Sequence, residues 1–100
     1  MLHTVNKSPF EKNSLQTCLS LSLDGSDILL LEDGVYGAIQ GNAIAGSIEA
    51  AMTSKSFYAL GPDLKARGIE EDKLIDGVKV VGYSDFVELA ANNDRVQSWL

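Results

Sequence analysis

Four consecutive large apolar residues, Ile28-Leu29-Leu30-Leu31, are entered from Gly25-Ser26-Asp27 and left through the acidic turn Glu32-Asp33-Gly34. A run this short and uniformly apolar, bounded by turn residues, predicts a strand buried on both faces, as in the middle of a parallel sheet. Upstream, Leu2 to Asn6 is apolar and β-branched enough for a first strand. Ser8-Pro9-Phe10-Glu11 then carries a helix start: Ser at the N-cap, Pro at the first helical position, and Glu three residues after the cap. The spacing predicts a helix from Pro9 to about Leu23, ended by Asp24-Gly25. Leu15, Cys18, Leu19 and Ser22 recur at i, i+3, i+4 and i+7, with Leu23 beside them, so this face should meet the sheet.

Beyond the central strand, Val35 to Gln40 predicts one loose helical turn, and Ala43 to Met52 a second helix with Ile44, Ile48, Ala51 and Met52 on one face. Lys55 to Leu60 predicts a third strand. Gly61-Pro62-Asp63 opens a short helix through Arg67 that Gly68 stops. Glu70 to Lys73 is polar enough for a solvated connection, Val78 to Val81 predicts a fourth strand, and Ser84-Asp85 caps a last helix with Phe86, Leu89 and Ala90 on one side. The chain closes with Val96-Gln97-Ser98-Trp99-Leu100. Strands alternating with helices demand right-handed crossovers. The expected architecture is therefore α/β: a single small Rossmann-like or flavodoxin-like domain over residues 1–100, with a mainly parallel sheet of about four strands and helices on both faces. So small a sheet leaves apolar faces to hide, and Trp99 and Leu100 are costly to leave in water, which predicts an oligomer with these two residues as interface candidates.

Composition narrows the function classes. One hundred residues at 45% hydrophobic and 22% charged make an ordinary globular chain, and a domain of this length buries roughly 65% of its unfolded surface. A net charge of −6 offers no cluster of cations to displace counterions from a phosphate backbone, so direct nucleic-acid binding is disfavoured. No apolar run approaches membrane-spanning length and no signal-peptide pattern opens the chain, so the expected location is the cytoplasm.

Candidate chemistry is sparse. The glycines spell neither a phosphate loop nor a dinucleotide fingerprint, and there is no nucleophile elbow. No cofactor or metal is implied. Glu32 and Asp33 lie where ligands collect in open parallel sheets, beyond a strand's carboxyl end. As a functional pair they would hold a metal or act as acid and base; as structure, Asp33 caps the next short helix and Glu32 is solvated, which is the commoner use of Asp there. His3, the one histidine, has no second ligand near it in sequence and is more simply a hydrogen-bonded structural residue. Cys18, the one cysteine, cannot form an internal disulfide. Its periodicity favours a small buried hydrophobe; reactivity requires exposure and a lowered pKa, and Cys18 is too far along its helix to use the helix N-terminus.

Several stretches go beyond these general patterns. The opening Met1-Leu2-His3-Thr4-Val5-Asn6-Lys7-Ser8-Pro9-Phe10, the block Leu29-Leu30-Leu31-Glu32-Asp33-Gly34-Val35-Tyr36, Leu60 to Gly68, Tyr83-Ser84-Asp85-Phe86-Val87 and the ending Gln97-Ser98-Trp99 together resemble the DsrH/TusB family, in order and over essentially the whole chain. That resemblance implies a subunit of a hetero-hexamer built from two copies each of three homologous small α/β chains. The partners implied are DsrE/TusD-like and DsrF/TusC-like subunits, together with a DsrC/TusE-like small acceptor of persulfide sulfur. It also implies that the principal sulfur-carrying cysteine is on the DsrE/TusD-like chain. The DsrH branch carries its own cysteine in the first helix, which Cys18 matches and some TusB proteins lack. The presence of Cys18 favours the DsrH branch and cytoplasmic sulfur oxidation, with Cys18 as candidate sulfur carrier. The alternative is a non-catalytic subunit of a TusBCD-type relay supplying sulfur for tRNA wobble-uridine thiolation. A stand-alone small-ligand binder using the Glu32/Asp33 strand end ranks below both.

Overall fold

The computed structural model describes residues 1–100. Five strands, β1 (Leu2–Val5), β2 (Asp27–Leu30), β3 (Ser56–Leu60), β4 (Lys79–Val81) and β5 (Val96–Trp99), form one sheet in the order β4-β3-β2-β1-β5, every pair parallel. The expected α/β fold with a parallel sheet is what the chain adopts. Its fifth strand was not expected: Val96-Gln97-Ser98-Trp99 is half polar and mostly exposed, as an edge strand is, and carries little of the apolar signal of β2. β1 and β2 are the middle of the sheet. Seven of their eight residues are buried, the exception being half-buried Asp27.

Four α-helices, α1 (Ser14–Leu21), α2 (Ala45–Ala51), α3 (Gly61–Ala66) and α4 (Tyr83–Asn92), make the connections. Because β1 to β4 step in one direction across the sheet, right-handed crossovers place α1, α2 and α3 on one face. The connection from β4 to β5 runs back across the whole sheet, so α4 lies on the other face, where Asn93 at its end donates to Asp27 Oδ2 at 3.1 Å. The first face holds the main core: Val5, Ile28, Leu30, Phe57 and Ala59 from the strands meet Leu15, Cys18, Ala45 and Ile48 from α1 and α2. On the second face Leu2 and Leu29 are fully buried, yet α4 itself buries no residue.

The first helix is shorter than expected. Ser8 does cap, its Oγ accepting from the Phe10 amide at 3.2 Å, but what it caps is an isolated turn at Pro9–Glu11. Helical geometry resumes at Ser14 after a break at Lys12-Asn13, and it ends at Leu21, where Ser22 turns extended (φ −71°, ψ 144°). That early stop sends Leu23 into solvent instead of onto the sheet.

The turn after β2 is fixed by close approach. Gly34 stands against β1 so tightly that a Cβ would collide with the carbonyl oxygen of Val5. Neither backbone can yield without breaking the β1–β2 ladder. Gly34→Ala is therefore expected to cost about 2 kcal/mol or more by overpacking. Equilibrium urea unfolding measures it, and a loss below about 0.5 kcal/mol, the range of a neutral surface change, contradicts the close approach.

Candidate functional site

Cys18 sits in the middle of α1, fully buried among Leu15, Val5, Ile28 and Ile48 of the main core. Burial pushes its thiol up from 9.0 to about 12, and the cation of Lys55 opposes that only in part. Loss of solvation penalises the thiolate, and the thiolate is the nucleophile in persulfide and disulfide exchange. At pH 7 a thiol with a pKa of about 12 is ionised in on the order of one molecule in 10⁵. The chain thus supplies neither the exposure nor the stabilised anion that a sulfur carrier needs.

The carboxyl ends of the strands hold a polar network. Glu32 takes a positive φ of 50°, in the left-handed region that non-glycine residues avoid, and its amide donates to Asp63 Oδ2 at 2.7 Å. Asp33 does not cap the 3-10 turn Glu32–Ala38 with its side chain. It accepts instead from Arg67, at 3.0 Å from Nε and 2.9 Å from Nη2. Arg67 also approaches Asp63 Oδ1 at 4.0 Å. Asp33 is thereby committed to Arg67 and Glu32 to a strained backbone position; the pair ties the β2 end to α3.

Trp99 is half-buried and packs against the main core, and only Leu100, 78% exposed, stands freely in solvent. The Trp99 indole N–H donates to His3 Nδ1 at 3.0 Å, across the β1–β5 pair. An indole is a donor only, so Nδ1 is the bare nitrogen and the imidazole proton of neutral His3 is on Nε2. Burial, then the N-terminal ammonium, then Lys55 hold the His3 pKa below 6.5. Ser14 Oγ at the start of α1 donates to the Leu100 carbonyl at 3.0 Å, a second tie between β5 and the main face. The structure brings Trp99 to His3, and brings neither to Glu32 or Asp33. Sequence reasoning missed the His3–Trp99 pair because only the β5 pairing, which carries no strong apolar pattern, makes residues 3 and 99 diagonal neighbours across the two strands.

Comparison with known proteins adds the following. Residues 7–96 match the family described as DsrH like protein. A relative from Erwinia tasmaniensis named Protein TusB is 40% identical over 99% of this chain and 100% of its own length. Protein TusB of Escherichia coli (strain K12 / DH10B) is 34% identical over the same shares of the two chains. Among solved structures, the ychN protein of E. coli superposes with a TM-score of 0.81 at 22% identity, covering 97% of each chain. A protein of unknown function from Methanobacterium thermoautotrophicum, MTH1491, superposes at 0.76 and 17% identity, over 97% of this chain and 96% of its own. At those identities the two structures speak for the fold alone.

The state of Cys18 has a sign and a window. Its folded pKa lies above its unfolded one, so the stability it contributes is complete below pH 9 and is lost as pH rises from 9 toward about 12. Thiolate supply follows the same difference. At pH 8 the native chain should react with iodoacetamide about a thousandfold more slowly than the urea-unfolded chain, the ratio set by pKa values of about 12 and 9.0. Comparable rates for the two states would show an accessible thiolate.

Proposed function

This chain belongs to the DsrH/TusB family of sulfur-relay subunits, and from that premise we propose that it is the interaction subunit of a cytoplasmic TusBCD-type relay. That relay supplies sulfur for thiolation of the tRNA wobble uridine. The chain completes a hetero-hexamer with TusD-like and TusC-like subunits and helps shape the surface on which a TusE-like acceptor docks. Sulfur itself travels on a cysteine of the TusD-like partner.

The observation that supports this division of labour is the burial of Cys18 under α1, with its thiol held protonated. Carriage on Cys18 requires α1 to lift from the sheet and expose Leu15 along with it. A fully exposed Leu side chain costs about 2 kcal/mol before any chemistry begins. The relatives bear the TusB name, which favours tRNA thiolation over the sulfur-oxidation role that Cys18 suggested by its position.

The test is Cys18→Ala in the assembled complex. Ala is preferred to Ser because a buried hydroxyl would be left without a partner. Transfer of sulfur to the acceptor should stay within about twofold of wild type, since the thiolate that attacks is on another chain. A loss of about a hundredfold, with assembly intact, would place Cys18 on the transfer path.

A further inference from the structure

Along β5, Val96, Gln97 and Ser98 are exposed, and only Trp99 packs against the main core. The strand's anchor therefore depends on one side chain. Its indole N–H, a donor only, is accepted by His3 Nδ1 at 3.0 Å, with the ring centroids 6.1 Å apart. The imidazole is 4% exposed, and its other nitrogen, Nε2, is enclosed without an acceptor. Protonation would put an N–H on both nitrogens. Nδ1–H would then face the indole N–H, donor against donor, and neither ring proton would have an acceptor. The added charge has no partner either: the N-terminal ammonium at the head of β1 and half-buried Lys55 ahead of β3 both oppose it. Asp24, in the α1–β2 connection lining the hollow beside His3, is exposed and forms no ion pair. From α1 the titratable group is Cys18, whose raised pKa keeps it neutral. β5 brings no charged side chain, and Leu100 beyond it is held by Ser14 at the far end of the strand pair.

We infer that His3 and Trp99 form a proton-operated latch on the terminal strand: the neutral imidazole holds the indole and keeps β5 on the edge of β1, and a proton on Nδ1 releases Trp99 with the end of β5. Release lets the imidazolium reach water and bares the β1 edge that β5 covers. The latch operates whichever subunit carries sulfur. Burial, then the N-terminal ammonium, then Lys55 hold the ring's pKa below 6.5 while it is latched, so the open form binds the proton better. The contribution of the latch to stability is therefore complete above pH 6.5 and is lost as pH falls below it.

The test is native-state hydrogen exchange of the full chain, followed by NMR at about pH 7 and pH 5 and corrected for intrinsic exchange rates. Side-chain carboxylates titrate near about 4 and the N-terminal amine near about 8, so His3 is the group that changes charge between these values. The opening constant read from the β5 amides and the Trp99 indole N–H should rise at least about fivefold on acidification. Its ceiling is about twenty-fivefold, for a ring with a pKa of 6.5 when open that takes no proton when latched. Amides of β4, the opposite edge, should change by less than about twofold. His3→Asn offers the indole an oxygen acceptor and does not titrate, so its β5 opening should be level between the two pH values. A wild-type rise below about fivefold overturns the latch. So does an equal rise in β4, which would mean that acid loosens the whole sheet, and so does a rise that persists in His3→Asn. Should the variant fail to fold, which circular dichroism reports, the wild-type ring carries the test. The chain has one histidine, and its ring resonances should follow the same pH dependence as β5 opening. A ring that titrates while the Trp99 indole stays protected overturns the latch.

Discussion

Every buried backbone amide and carbonyl must find a partner, and β1 is the strand on which that demand falls hardest. All four of its residues are buried, and it pairs with β2 on one side and β5 on the other. The β1–β2 pair determines where the main core forms. The β1–β5 pair brings the far end of the chain back against the beginning. Gly34 reports how close the packing is: the turn after β2 returns to within touching distance of the Val5 carbonyl, and the Leu31 amide donates to that same oxygen at 3.1 Å.

The chemistry of the chain is a consequence of the same packing. α1 lays Leu15 and Cys18 onto the strands, and the burial that makes Cys18 a good core residue takes away its thiolate. In the acidic turn that occupies the expected ligand position, the Asp33 carboxylate is held by Arg67, the Glu32 carboxylate accepts from Asn6 Nδ2, and Asp63 accepts from the strained Glu32 amide. What the monomer leaves unfinished is an α4 none of whose own residues is fully buried, and three buried polar atoms without a partner, Asn6 Oδ1, His3 Nε2 and Ser22 Oγ.

Much of the fold was legible from local pattern. The Ile28–Leu31 run announced a doubly buried strand, and Gly61-Pro62 with Gly68 bracketed α3, whose end the sequence marks with a glycine at φ 68°. The apolar spacing of α1 put Leu15 and Cys18 on the inner face. Long-range pairing was not legible. β5 reads as a polar tail until β1 is known to have an open edge, and with it went the His3–Trp99 bond that fixes the histidine tautomer. The exposure of Leu23 depended on where α1 stops, a matter of one turn that periodicity does not resolve. For the candidate site, the identity of Cys18 was plain, and its reactivity was not, because desolvation depends on which residues cover it.

The most direct measurement is the location of sulfur in the loaded complex. The hetero-oligomer, isolated from its own cells and exposed to a persulfide donor, is separated into subunits under denaturing conditions and weighed with and without reductant. The account predicts a reductant-labile sulfur on the TusD-like subunit and none on this chain. A labile sulfur on Cys18 would contradict it.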